Sequence, residues 1–562
     1  MLSRSLKHRG GRGGDGRGLL WLLYTIVAVA FVAIELDQIR RIGDFRVDDA
    51  YITFSFSKNL ALGRGPLYAH DLKAEGYSNF LWMALVATVH RLGLDLYLGA
   101  RLLAFGFLAA AAYGVHRLVE KRCGRLPAAL AVLFLAACSD LTRAALSGLE
   151  TVAFASCLCL AYSGYLREPR RRTHWSLLWL LPVLLLRIDG FVPVAIALGL
   201  ETLSSILGRR FSFRRLAWIG IPIASAGLLY FAWRYQYYGL PLPSTYYAKS
   251  VVAAQDPARG YRQLLEFIED YGIAYSAPLV LAALLGRHRR PASILLLAVA
   301  LQAGYAVKVG GDWMPFWRFF QPVVPLFVML CGLGLGTLLR PTERRPRPPY
   351  PSWLYRGLVG PALAAAGFAL LGFLAIRVHM GSVDSQAERG KLGHAEHVKK
   401  HTLENLLGSV DLARHLVRTP GEKLVSDYAG VFAVFTEANI IDMWGLANPQ
   451  IARFGGTEGI NSIYGKECAA CYPSLDPDYF HVVVPLVRTK DAFRSQRAVQ
   501  NEVFQSRAIG RYLNFRKDFV AGYVLETATN RAFWFLERRR PGRSHKTQSP
   551  APGIQIVYPF EH

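Results

Sequence analysis

The chain is poor in acid and in cysteine. Asp and Glu number 40 among 562 residues against 65 Lys and Arg, which leaves a net charge of +25. Seven cysteines over that length exclude a scaffold built on disulfides. Cys123, Cys138, Cys157, Cys159 and Cys331 lie in or beside apolar runs and read as packing residues. Cys468 and Cys471 form a CxxC in a polar stretch that lacks the two further ligands a zinc site needs, so a local disulfide is the reading. No internal repeat is present, which counts against a transporter built from repeated halves. The first apolar run, from Leu19 to Leu36, lacks a small-residue cleavage site. It reads as an uncleaved first span with a basic, Gly-rich tail in the cytoplasm.

What the chain has in quantity is apolar surface. Hydrophobic residues make up 52% and the mean hydropathy is +0.22, a level that points to repeated membrane spans. Lys and Arg cluster in short loops between apolar runs: Lys121 to Arg125, Arg167 to Arg172, Arg209 to Arg215, Arg287 to Arg290, and the Pro/Arg-rich stretch from Arg340. That is the positive-inside pattern and argues against a nucleic-acid partner. Eleven apolar runs lie between residues 19 and 377, and a shorter one, Phe80–Val89, is expected to be re-entrant or surface-lying. From about Ser382 the composition turns mixed and polar. Leu424–Asp427, Asn439–Asp442 and Phe480–Val484 read as short buried strands. The expected fold is a multi-span α-helical membrane protein with a C-terminal soluble α/β domain on the extracytoplasmic face. The boundaries are a basic tail over 1–18, a membrane module over 19–380 with its first outer loop at 37–78, the soluble domain over 381–540 and a tail over 541–562.

With the basic loops inside, five other segments join Asp48 and Asp49 on the outer face. They are Glu75–Asn79, Arg143–Glu150, Arg187–Gly190, Pro241–Lys249 and Lys308–Arg318. The cytoplasmic loops are only basic, so a site at the outer membrane–water boundary is the reading. Each element has an alternative. Adjacent aspartates repel, and serve either as a solvated helix N-terminus or as a base or cation site. Arg187 and Asp189 pair with each other or serve a ligand. Arg318 snorkels or holds a lipid phosphate. Trp313 and Trp317 belong to an interfacial belt or to the site, and Gly310-Gly311 is a turn or a close approach to a ligand.

The stretch VDDAYITFSFSKNLALGRGPLYAHDLKAEGYSNFLW, running from Val47 to Trp82, resembles the first outer loop of the GT-C superfamily of membrane glycosyltransferases. Its nearest likeness is to the mycobacterial-type terminal arabinofuranosyltransferases. LPSTYYAK, GGDWMPFWRFFQPVVP and SDYAGVFAVFTEANIIDMWGLANPQIAR resemble the same family, so the likeness extends from about Asp48 to Arg453. It implies a polyprenyl-phosphate sugar donor, a cell-envelope glycan acceptor, inversion at the anomeric carbon, and a bacterial inner-membrane enzyme working on the extracytoplasmic side. Asp48 or Asp49 would deprotonate the acceptor, with the other orienting it or helping to bind a divalent cation. Arg318, Lys249 and Arg187 would meet the leaving phosphate. Glu75, Asp312, Asp189 and Glu150 would hold sugar or acceptor hydroxyls, and Tyr51, Tyr247 and Trp313 would pack on sugar or prenyl chain. The competing readings are transfer of another lipid-linked sugar to a lipid, polysaccharide or protein, a transporter or flippase for a lipid-linked substrate, and a non-catalytic scaffold.

Overall fold

The computed structural model describes residues 15–167, 175–209, 211–249, 258–312, 317–339, 360–386, 410–417, 419–426, 428–454, 468, 471–481, 488–489, 491–492, 518–541 and 544–559. Trp313, Asp427, most of the N-terminal tail, the arginines at 170–172 and the Arg340 stretch lie outside them.

Seven described helices are long and apolar enough to cross a membrane: Trp21–Ile42, Leu96–Cys123, Ile188–Leu207, Leu216–Tyr238, Arg289–Lys308, Gln321–Leu339 and Pro361–His379. Two bent pairs raise this to nine if each is one span. They are Arg125–Ala137 with Ser139–Leu146, bent by 54°, and Arg259–Asp270 with Ile273–Leu285, bent by 58°. The chain is therefore a multi-pass membrane protein. The difference from eleven apolar runs has local causes. The run around 147–165 forms a 17-residue helix, Thr151–Arg167, buried over nearly its whole length in the bundle. The run at 174–186 covers only the 12 residues Trp175–Leu186, and the helix Phe80–Arg91, outside the eleven, likewise has 12. At about 1.5 Å per residue each is roughly 18 Å long, against ~30 Å of hydrocarbon.

The soluble part is one mixed eight-stranded sheet. Its strands are β1 (Lys423–Ser426), β2 (Asn439–Asp442), β3 (Tyr479–His481), β4 (Arg488–Thr489), β5 (Phe519–Glu526), β6 (Arg531–Arg538), β7 (Gln548–Ala551) and β8 (Ile554–Val557). The order is β2-β1-β3-β6-β5-β8-β7, with β4 also on β6. β1 runs parallel to β2 and β3, and the remaining pairs are antiparallel. The sheet passes the expected boundary at Arg540. β8 pairs with β5, Val557 opposite Tyr523, so residues 548–557 belong to the domain and are not a tail. Four-residue strands beside a charged turn give little periodic signal, which hid this hairpin in the sequence. A disulfide joins Cys468 and Cys471.

This domain sits on the segment that follows the first span. The helix Asp48–Ala61, hereafter α1, packs against the helix Ala429–Phe435, hereafter α2. The two ends of α2 are held by α1. Asp48 accepts from the amides of Gly430 and Val431 at 2.9 and 2.8 Å, and Lys58 donates to the carbonyl of Val434 at 2.7 Å. Glycine at 430 is a packing requirement. A Cβ there would stand 2.1 Å from the Asp48 carbonyl oxygen and 2.7 Å from the Ile52 nitrogen. Tyr68 adds a hydrogen bond to the carbonyl of Ala429 at 3.0 Å.

Candidate active site

The polar motifs between the spans converge, but on different partners from those their order in the chain suggests. Asp48 and Asp49 open α1 one residue apart and do different things. Asp48 holds α2, as above. Asp49 is half-buried and lies in the electrostatic field of Arg318 and of Asp442 at the end of β2. The motif pair is thus divided between a contact that seats the domain and a carboxylate that acts on Arg318 and Asp442.

Arg187 sits where the chain breaks between the helices Leu180–Leu186 and Phe191–Leu207, with extended backbone at φ −150°. Gly190 permits the break, since a Cβ there would lie 2.3 Å from the Val183 carbonyl oxygen. Arg187 donates to Asp189 at 2.8 and 3.1 Å and to Glu150 at 3.1 Å. Glu150 also accepts from Asn79 at 2.9 Å, and Asn79 accepts from Thr53 on α1 at 3.2 Å. Tyr305 donates to Asp189 at 3.1 Å. A continuous polar chain therefore links four separate segments to the helix that carries Asp49.

Arg318 and Asp312 form a buried ion pair. Burial works against the charge on Arg318, but Asp312 outweighs it and holds the guanidinium above its ordinary pKa; Arg187 opposes this, and Glu150 and Asp49 add to it. Trp317 precedes it in the left-handed region at φ +53°, a strained conformation for an aromatic residue that costs about 1–3 kcal/mol. Such strain gathers at functional sites. Gly310 and Gly311 also have positive φ, at +83° and +69°. Their turn admits Gln263, whose side chain accepts from the Asp312 amide at 2.9 Å and donates to its carbonyl at 2.5 Å.

Other expected site residues take other positions. Glu75 is 3% exposed, and its two oxygens accept from Arg234 at 3.0 and 2.5 Å. Burial pushes the Glu75 carboxyl up, and Arg234 only partly reverses this. Tyr51 is buried, with its hydroxyl accepting from Arg46 at 3.0 Å and its ring stacked on Tyr97. Tyr247 is half-buried with its ring edge-on to Tyr246. Lys249 closes the short helix Ser244–Lys249, and its side chain is outside the described part of the structure. Among the described residues, no three His, Cys, Asp or Glu side chains gather where they could hold a metal ion.

In sequence, the family described as Domain of unknown function (DUF8728) matches residues 399–536. No curated protein matches the chain. Among solved structures the chain is similar to ArnT from Cupriavidus metallidurans. The apo form has a TM-score of 0.47 at 13% identity, over 93% of this chain and 98% of that one. The form bound to undecaprenyl phosphate has 0.44 at 13%, over 75% and 86%. The Archaeoglobus fulgidus oligosaccharyltransferase in complex with zinc and sulfate has 0.42 at 12%, over 90% and 72%.

Sequence reading missed four residues of this region. Arg234 carried a usable signal, because an ionisable residue inside the apolar run FAWRYQYY needs a partner. Tyr305 and Gln263 sit in helices with no motif around them. Asp442 was read only as the end of a strand. Buried completely, it accepts from the amides of Trp444 and Ala447 at 3.0 and 2.7 Å and so shapes the turn that follows β2. Burial pushes its carboxyl up to about 6, against the pull of the turn amides, and the charge of Asp49 adds to the rise. That turn closely meets the loop after the first span: a Cβ on Gly76 would be 2.6 Å from the Ala447 Cβ.

Proposed function

We propose that this protein is a membrane glycosyltransferase. It moves a sugar from a polyprenyl-phosphate donor to a hydroxyl of a cell-envelope glycan, on the face that carries the C-terminal domain. The motif likeness favours arabinofuranose as the sugar and the bacterial inner membrane as the location, with domain and site extracytoplasmic. The observation that carries this reading is the divided aspartate pair. Asp48 is engaged by the amides of α2, while Asp49, like Arg187 and Glu150, acts electrostatically on Arg318.

In this reading Asp49 takes the proton of the acceptor hydroxyl as that oxygen attacks the anomeric carbon. The bond from that carbon to the phosphate oxygen breaks, and the electron pair leaves with the lipid phosphate. The configuration inverts because attack and departure are on opposite faces. A phosphate is a good leaving group without protonation, so its growing charge needs only fixed cations, a role given to Arg318 and Arg187. Their carboxylate partners hold the guanidinium planes in place before substrate arrives. Sugar hydroxyls are assigned to Asp312, Asp189 and Glu150, and Tyr247, Trp313 and Lys249 to the approach of the donor. Glu75 and Tyr51 support the loop from behind.

The test is turnover by the purified protein. Labelled polyprenyl-phosphoryl arabinose and a short arabinan acceptor should give a glycosylated product. Folded protein that makes no product from any of a panel of lipid-linked sugars would overturn the enzyme. Transport of the intact lipid-linked sugar across a proteoliposome membrane would replace it with the flippase reading.

A further inference from the structure

The turn that carries Arg318 is gripped from one side by a single helix, Arg259–Asp270. Gly260, Gln263 and Phe267 lie within roughly 60° of one another at about 100° per residue, so they share one face. Tyr261, Arg262, Leu265 and Glu269 are exposed. Gly260 sets the approach. A Cβ there would stand 2.1 Å from the Val307 carbonyl oxygen, so glycine lets the helix meet the end of the span Arg289–Lys308. The other end of the helix is tied by Arg377, which donates to the Glu269 carbonyl at 2.8 Å.

The other two residues of that face meet the turn before and after its arginine. The Gln263 carboxamide accepts from the Asp312 amide at 2.9 Å and donates to the Asp312 carbonyl at 2.5 Å, so one side chain holds both backbone groups. Gly311 makes room for it, since a Cβ there would lie 1.9 Å from the Gln263 Oε1. The Asp312 carboxylate in turn pairs with Arg318. Phe267 stacks on Phe320 at 5.1 Å and stands edge-on to Trp317 at 6.5 Å. Those two aromatic residues flank Arg318 in the chain, and Trp317 is the one held at φ +53°. Tyr271 backs Phe267, with ring centroids 4.5 Å apart.

We infer, on the phosphate role proposed above for Arg318, that Gln263 and Phe267 are positioning residues that hold its guanidinium in register for the phosphate of a polyprenyl-phosphate donor. Two glycines of positive φ precede Asp312, so the chain there has little stiffness of its own. A guanidinium serves a phosphate best when its planar fork is aimed before the ligand arrives. The Gln263 bonds fix the backbone of Asp312, and with it the carboxylate that aims Arg318. The Phe267 contacts offset the strain of the left-handed turn at Trp317. Both residues act through Arg318 rather than on the ligand.

The test is calorimetric titration of the full-length protein in detergent with geranylgeranyl phosphate, and with geranylgeraniol, which has the chain without the charge. Wild type should prefer the phosphate. Gln263→Met keeps the length of the side chain and removes both bonds to Asp312. It should weaken binding of the phosphate by about tenfold, the scale of one buried hydrogen bond, and leave the alcohol unchanged. Arg318→Met should show a selective loss of the same kind, and Gln263→Met added to it should bring no further loss. Phe267→Leu keeps an apolar contact without the ring and should weaken the phosphate alone by about threefold; it decides the matter if Gln263→Met does not fold. Wild-type phosphate affinity in folded Gln263→Met, an equal loss for phosphate and alcohol, or a further loss in the double variant overturns the positioning role. A wild type that does not prefer the phosphate, or wild-type affinity in Arg318→Met, overturns the phosphate role of Arg318 itself, and the roles of Gln263 and Phe267 fall with it.

Discussion

Asparagine at position 48 and at position 49 should fail for different reasons. Asp48 accepts two charge-assisted hydrogen bonds from α2, at 2.9 and 2.8 Å. Asparagine keeps one acceptor oxygen and turns an amino group toward the other amide, so one such bond is lost and a donor faces a donor. A hydrogen bond to a charged group contributes about 1.5–3 kcal/mol. The loss is therefore about 2 kcal/mol, or roughly 30-fold in the equilibrium that keeps α2 seated, at about 1.4 kcal/mol per decade. Asp48→Asn should expose α2 to hydrogen exchange and limited proteolysis, and lower turnover in proportion to the seated fraction. Asp49→Asn should leave exchange in α2 as in wild type. It should instead lower turnover by about 10²–10⁴-fold through loss of the base. The assay pairs labelled-sugar transfer with hydrogen–deuterium exchange on the same preparations. Wild-type turnover in Asp49→Asn, or wild-type exchange of α2 in Asp48→Asn, would refute the division of roles.

Three further outcomes are expected. Gly430→Ala puts a Cβ 2.1 Å from a backbone oxygen that cannot rotate away, so it should unseat the domain by more than the ~1–3 kcal/mol of ordinary overpacking; unaltered proteolysis of the domain would contradict this. Arg234→Met leaves Glu75 buried without its cation and should destabilise by about 3–5 kcal/mol in thermal unfolding, with Arg234→Met/Glu75→Gln recovering part of the loss; an unchanged melting temperature would show the pair to be idle. Asp442 holds its proton more tightly folded, at about 6, than unfolded, near 3.9, so its contribution to stability falls as pH rises from about 4 to 6, by up to roughly 3 kcal/mol. Asp442→Asn should flatten that part of the stability–pH curve, and an unaltered slope would sink the assignment.

Sequence alone carried the class of the protein. Long apolar runs punctuated by arginine clusters can fold stably only as membrane helices, because that much apolar surface has nowhere else to go. The motifs also marked which loops are chemically rich, and the residues Glu150, Arg187, Asp189, Asp312 and Arg318 do form ion pairs in one region. Hydropathy is a local quantity, so it could read neither the bends at Cys138 and Tyr271 nor the short closing hairpin of β7 and β8, which joins the sheet through the pairing of β8 with the more distant β5. Pairing was decided by tertiary structure alone. Asp48 and Asp49 look equivalent in a string of letters, yet one residue along a helix turns a side chain by about 100°. That rotation directs one carboxylate to amides more than 380 residues away, while the other adds to the field at Arg318. Glu75 likewise reads as a ligand group until Arg234, 159 residues on, occupies it. Partners at such separations leave no pattern in spacing, and only the folded chain shows them.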